Sequence, residues 1–156
     1  MNSMVLTKEL VLTLGEVISE PSRRFWKGFT YKTFNGTAKT SLIPVSQKSI
    51  DQLVDESRFV GKSLCRVSSF EQLAPTLKVL APEIRTAKRA IIQLVARDLD
   101  EFRQMQTEQI RSLFDILPQG CPVEWALGTH PSERYCFIVQ AVFGYDEQPD
   151  KYEFPT

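Results

Sequence analysis

The sequence predicts an α+β fold: a mixed four-stranded sheet with packed helices in a two-layer sandwich, preceded by a β-hairpin arm. Three observations carry that expectation. From Gly61 onward the apolar pattern alternates strand, helix, strand, helix, strand, strand, with the last two strands read as a hairpin. "KRAIIQLVA" (Lys88–Ala96) is a continuous apolar run, as expected of a central strand covered on both faces. Near the N-terminus, Asn35-Gly36 separates two runs rich in Thr and aromatics. Both residues tolerate the positive φ of a type I′ turn, so the pair signals a hairpin. Simple ferredoxin topology fits this element order poorly.

In chain order, "ELVLTLGEV" sets Leu10, Leu12 and Leu14 on one side at period two and reads as a half-buried strand. "RRFWKGFTYKTF" and "TAKTSLIPV" supply the two arms of the hairpin. "QKSIDQLVDES" gathers Ile50, Leu53 and Val54 on one helical face, with Ser49 as its N-cap. "GKSLCRV" follows as a strand. "SSFEQLAPTLKVLAPEI" has Phe70, Leu73, Leu77 and Leu80 at helical spacing, and Ser69 with Gln72 would form a capping box. Pro75 means that this helix either kinks or starts there. The clearest helix is 98–117, capped by Asp98, striped by Phe102, Ile110, Leu113 and Phe114, and stopped by Pro118. "CPVEWALG" and "ERYCFIVQAVFG" close the pattern as strands. The expected organisation is a β-rich arm over 1–41, a domain over 42–147 and a flexible tail over 148–156.

Composition narrows the function. The chain has 156 residues, enough for one domain with a proper core. Lys+Arg and Asp+Glu both number 19, so no global field draws in nucleic acid or anionic lipid. No apolar run reaches membrane-spanning length, and Lys8 and Glu9 stand where a signal peptide needs its apolar core. Three cysteines without a Cys-x-x-Cys pair fit a reducing cytoplasm, with the thiols as small buried hydrophobes rather than zinc ligands. "RFVGKSL" ends like a P-loop, but Glu56 stands where that loop needs its first glycine, and a strand follows Ser63. His130 sits among turn residues, and Asp98, Asp100 and Glu101 complement a helix N-terminus. No cofactor or metal site emerges. Arg23, Arg24, Lys27 and Lys32 interleave with Phe25, Trp26, Phe29 and Tyr31, a mix that single-strand binders use. Alternate burial of the aromatics on a hairpin is the reading favoured here, so nucleic-acid binding is not expected.

The segment "KRAIIQLVARDLDEFRQMQTEQIRSLFDILPQGCPVEWALGTHPSERYCFIVQAVFGYDE" resembles the C-terminal domain of the bacterial tubulin homologue FtsZ. In that family an apolar strand leads into an Asp-Leu helix start, then a strand ending in a small residue and Gly, then an outer strand finishing "ATGF". Asp98-Leu99, Trp125–Gly128 and "AVFG" (Ala141–Gly144) match those features. "LAPEI" and Gly61-Lys62 resemble further family landmarks, and the likeness covers residues 42–147. "LIPVSQKSIDQLVDE" is similar to the segment where the family carries Asn-x-Asp-Phe-Ala-Asp, whose acids promote GTP hydrolysis in the neighbouring subunit. Here Pro44 stands for the Asn, and Ser46 and Ser49 stand for the two acids. A serine hydroxyl cannot supply that negative charge. No Gly-rich GTP-binding domain fits into the first forty residues, and the tail lacks the family's basic, apolar tether peptide.

The resemblance therefore implies a non-catalytic, cytoplasmic protein–protein interaction domain, in cell division or filament assembly. The expected interface is Phe25, Trp26, Phe29 and Tyr31 with Pro44, Ser46, Gln47 and Ser49, and the expected partner is a protein or another copy. Two alternatives stay open: a small-molecule enzyme with a chorismate-mutase-like trimeric fold, and nucleic-acid binding through the aromatic, basic hairpin.

Overall fold

The computed structural model describes residues 11–67, 86–103, 120–131 and 137–148. Among them are six strands, β1 (Val11–Glu16), β2 (Thr40–Ile43), β3 (Phe59–Val67), β4 (Arg89–Ala96), β5 (Val123–Thr129) and β6 (Phe137–Tyr145). Three helices accompany them, α1 (Glu20–Thr37), α2 (Gln47–Asp55) and α3 (Leu99–Arg103). The helices expected over 69–82 and beyond Arg103 lie outside the described residues, as do Phe114 and the tail. Among the described residues no helix is long and apolar enough to cross a membrane.

The strands form one open sheet in the order β1-β3-β6-β4-β5-β2. Only β4 and β5 run parallel; every other neighbouring pair is antiparallel. The α+β class and the mixed sheet therefore hold, but the sheet has six strands where the sequence predicts four. The extra strands are β1 and β2, which extend the two edges. The expected terminal hairpin is also replaced. β6 inserts between β3 and β4, and β5 lies on the far side of β4. Burial explains the exchange. All nine residues of β6 are buried, as an interior slot with two covered faces demands, whereas β5 is only half-buried. A parallel β4–β5 pair needs a crossover rather than a tight turn.

The largest correction is the N-terminal arm. Arg23 to Thr37 is not a hairpin but most of an 18-residue helix. "SEPS" is its start: Ser19 has extended backbone, its hydroxyl accepts from the Ser22 amide at 3.3 Å, and Pro21 occupies the first turn, where its missing N–H costs nothing. Trp26, Thr30 and Phe34 recur every four residues on the buried side. The threonines that suggested a strand return their hydroxyls to the helix backbone, Thr33 to the Thr30 carbonyl at 3.0 Å and Thr37 to that of Thr33 at 2.7 Å. Asn35-Gly36 falls in the last turn, and among the described residues no non-glycine takes a positive φ.

Among the described residues α1 and α2 lie on one face and the five-residue α3 meets the other, so the two-layer expectation also gives way. Alternation along β4 sends Ile91 to one side and Ala90, Ile92, Leu94 and Ala96 to the other. The first side meets α1 and α2 through Trp26, Phe34, Ile50, Leu53 and Val54, joined by Val60 and Val142. The second meets Phe102 of α3, which lies edge-on to Phe137 at 6.1 Å. Burying one such aliphatic or aromatic side chain is worth about 1.5–3 kcal/mol.

Candidate interaction face

The eight residues expected to form an interface fall into two groups. The aromatic group lies on the first half of α1. Phe25 and Phe29, one turn apart, stack with ring centroids 5.6 Å apart, and Trp26 meets both rings edge-on. Trp26 is itself only 6% exposed and sits over Gly15 of β1, where a Cβ would come within 2.3 Å of the indole. That glycine lets the helix approach the edge strand. Phe25 is 62% exposed and Tyr31 39%, so these two, not Trp26, are open to a partner.

Two of the basic residues in this stretch are engaged. Lys27 pairs with Asp55 at 2.7 Å, and Arg23 reaches Glu20 and the Ile18 carbonyl. With Trp26 buried and a helix in place of the hairpin, the alternating row expected from the sequence is not the arrangement found.

The second group surrounds the start of α2. Ser46, not Ser49, is the N-cap: its hydroxyl accepts from the Ser49 amide at 3.0 Å and donates to the Ser49 hydroxyl at 2.8 Å. Ser49 in turn donates to Glu124 Oε1 on β5 at 2.9 Å. Gln47 caps the exposed side by donating to Asp51 Oδ1 at 2.7 Å. Pro44, Ser46 and Gln47 are exposed, while Val45 between them is buried and pins the segment. The two groups are not brought together. The Lys27–Asp55 pair sets the aromatics beside the end of α2, whereas Pro44–Ser49 lies at its beginning, about 13 Å away at 1.5 Å per residue.

Sequence reasoning passed over two features of the same face. Lys62 of β3 is 8% exposed, with its ammonium 5.5 Å from the Phe29 ring centroid. Burial lowers its pKa from 10.5 to about 8. Gly61-Lys62-Ser63 thus lies in mid-strand and is no phosphate loop. Glu124 is the other, a carboxylate inside the otherwise uncharged "CPVEWALG", and that isolation was its one legible signal. Nearby Cys121 is a half-buried free thiol; burial raises its pKa while the Arg89 charge works against the rise. Among the described residues no group of three His, Cys, Asp or Glu side chains could hold a metal ion.

No protein-family model matches the chain, and no curated protein sequence matches it. Among solved structures it is similar to TubZ-Bt in a helical model of a four-stranded filament, with a TM-score of 0.54 and 12% identity, covering 84% of this chain and 36% of that one. It is also similar to a tryptophan-to-tyrosine mutant of FtsZ from M. jannaschii, with a TM-score of 0.51 and 13% identity, covering 80% of this chain and 39% of that one. A third match is the empty FtsZ dimer of M. jannaschii, with a TM-score of 0.47 and 14% identity, covering 68% of this chain and 32% of that one. The likeness is one of fold. The chain spans between 32% and 39% of the length of these structures.

Proposed function

We propose that this chain is a non-catalytic assembly domain, a tubulin-like module that associates with another copy of itself or with a filament-forming protein. The observation that carries the reading is the fold likeness over 84% of the chain to TubZ-Bt, a protein solved as a four-stranded filament. The exposed segment before α2 supports it. Pro44, Ser46 and Gln47 present small or uncharged groups that a partner can cover without desolvating a carboxylate. Phe25 and Tyr31 add exposed aromatic area of the kind that anchors interfaces. The same segment has hydroxyls where the family resemblance puts its catalytic acids, so the chain contributes contact and not hydrolysis.

Sedimentation velocity and negative-stain microscopy of the purified chain, with and without GTP, test this. Concentration-dependent assembly without nucleotide turnover is expected, weakened by Gln47→Lys or Phe25→Glu, both at exposed positions that leave the core intact. A monodisperse monomer that neither assembles nor joins filaments of a tubulin-like protein would overturn the reading.

A further inference from the structure

Beside the start of α2 lies a partly open pocket of about 180 Å3, lined by Ser49, Arg89, Ile91, Pro122, Val123 and Glu124 among others. It brings a guanidinium and a carboxylate to one cavity without pairing them to each other. Arg89 pairs instead with Glu56, Nη2 to Oε2 at 3.3 Å, and Glu124 takes the Ser49 hydroxyl on Oε1. The other carboxylate oxygen, Oε2, is buried and has no hydrogen-bond partner. A buried carboxylate oxygen left without a donor is costly, and that cost is recovered when a donor arrives. The terminal torsion of a glutamate is soft, so a small rotation presents the free oxygen to the cavity while the Ser49 bond is kept. A guanidinium has five donors, and one ion pair leaves Arg89 with spare ones. On the same side of the sheet Ile91 and Pro122 add apolar lining, whereas the Val123 side chain packs toward the opposite face.

We infer that this pocket binds a small aliphatic α-amino acid, its ammonium on Glu124 and Ser49, its carboxylate toward Arg89, and its side chain against Ile91 and Pro122. A neutral ligand would bring no charged donor to Glu124, and a simple cation would leave the spare donors of Arg89 unused. A zwitterion of this size matches both ends at once, and charge-assisted hydrogen bonds are the strong ones. The alternative is that Glu124 serves only to hold Ser49 at the start of α2, in which case nothing needs to enter.

The test uses the full chain and L-leucine as the probe, followed by amide chemical shifts and calorimetry. Isoamylamine, which lacks the carboxylate, and N-acetyl-leucine, which lacks the ammonium, serve as paired controls. Leucine is expected to shift the amides of Ser49, Ile91 and Glu124, and each control ligand to bind about tenfold more weakly or worse, the scale of one lost charged contact. Glu124→Gln and Arg89→Met are expected to weaken leucine by a similar factor while thermal melts show both variants folded. If Arg89→Met does not fold, Arg89→Lys keeps the charge, loses the fork and still weakens binding. No response to leucine at about 10 mM, or isoamylamine binding as tightly as leucine, overturns the inference. Either result leaves the assembly reading untouched, because assembly is measured without amino acid present.

Discussion

On the face of the sheet turned from α1, Ala90, Ile92, Leu94, Phe137, Val139, Ala141 and Phe143 pack against apolar partners, and the Ser63 hydroxyl is the buried polar exception. The face under α1 and α2 is built otherwise. Among the described residues its apolar cluster adjoins five buried polar groups, Thr30, Ser57, Lys62, Gln93 and Gln140. Gln93 Nε2 donates to the Phe34 carbonyl at 3.0 Å, and Gln140 Nε2 donates to Thr37 Oγ1 at 2.8 Å and to Gln93 Oε1 at 3.0 Å. These bonds run from the two central strands to the last turn of α1, which they fix in register. Apolar packing stabilises without direction, whereas a hydrogen-bonded amide pair accepts only one placement of its helix. The first face therefore carries stability and the second carries position.

The largest test of that division is Phe143→Ala. Phe143 is 2% exposed on the apolar face, and its truncation is expected to cost about 3–5 kcal/mol in denaturant unfolding. A loss of only a few tenths would mean that this face does not carry the stability assigned to it.

Gln140→Leu probes the other face and is expected to cost less, about 1–3 kcal/mol, by stranding the Gln93 carbonyl oxygen, while the Thr37 hydroxyl keeps its bond to the Thr33 carbonyl. The double change with Gln93→Leu should cost less than the sum of the singles, because the stranded amide then goes too. Strict additivity in chemical denaturation would show that the amides act alone and not as a pair.

The same contrast explains what was legible beforehand. β4 was readable because a strand buried on both faces has no choice but a continuous apolar run. The face of α2 was readable because Ile50, Leu53 and Val54 leave no second period. α1 was not. Its inward side carries Trp26, Thr30 and Phe34, whose aromatic and β-branched chemistry favours strands, and Asn35-Gly36 added a turn signal. The four-residue spacing and the Ser19-Glu20-Pro21 start point to a helix, but the strand propensity of these side chains masks them locally. The candidate site divides along the same line. Pro44, Ser46 and Gln47 are exposed as an interface requires, whereas Trp26 is spent on the core. Glu124 and Arg89 could not be paired with a pocket from sequence, because their juxtaposition depends on the parallel β4–β5 register, which nothing local encodes.

Lys62 provides a third test, of opposite sign. In the folded chain its ammonium gives up a proton at about pH 8, whereas the unfolded chain holds it to 10.5. Between those values the unfolded state binds more protons, so stability rises with pH across that window; below it the full cost of burying the charge is present. Lys62→Met should raise stability at pH 7 and flatten the rise. If parent and variant share one pH profile in thermal melts, the ammonium is not buried beneath Phe29.

The smallest effect concerns the start of α2, where position matters more than energy. Ser46 supplies the capping hydroxyl, and Ser49 bridges it to Glu124. Ser46→Ala removes the acceptor for an otherwise unsatisfied first-turn amide and is expected to cost about 1 kcal/mol. Ser49→Ala leaves that cap in place. It removes the donor to Glu124 Oε1, a charged hydrogen bond whose loss the better helix propensity of alanine offsets only in part, so about 1 kcal/mol is expected here too. The order of the two is the informative quantity. Ser46 dominating in urea titrations means that the exposed segment is ordered from the helix side. Ser49 dominating would mean that the link to Glu124 orders it from the sheet, and Pro44–Gln47 would then answer to the occupancy of the pocket beside it.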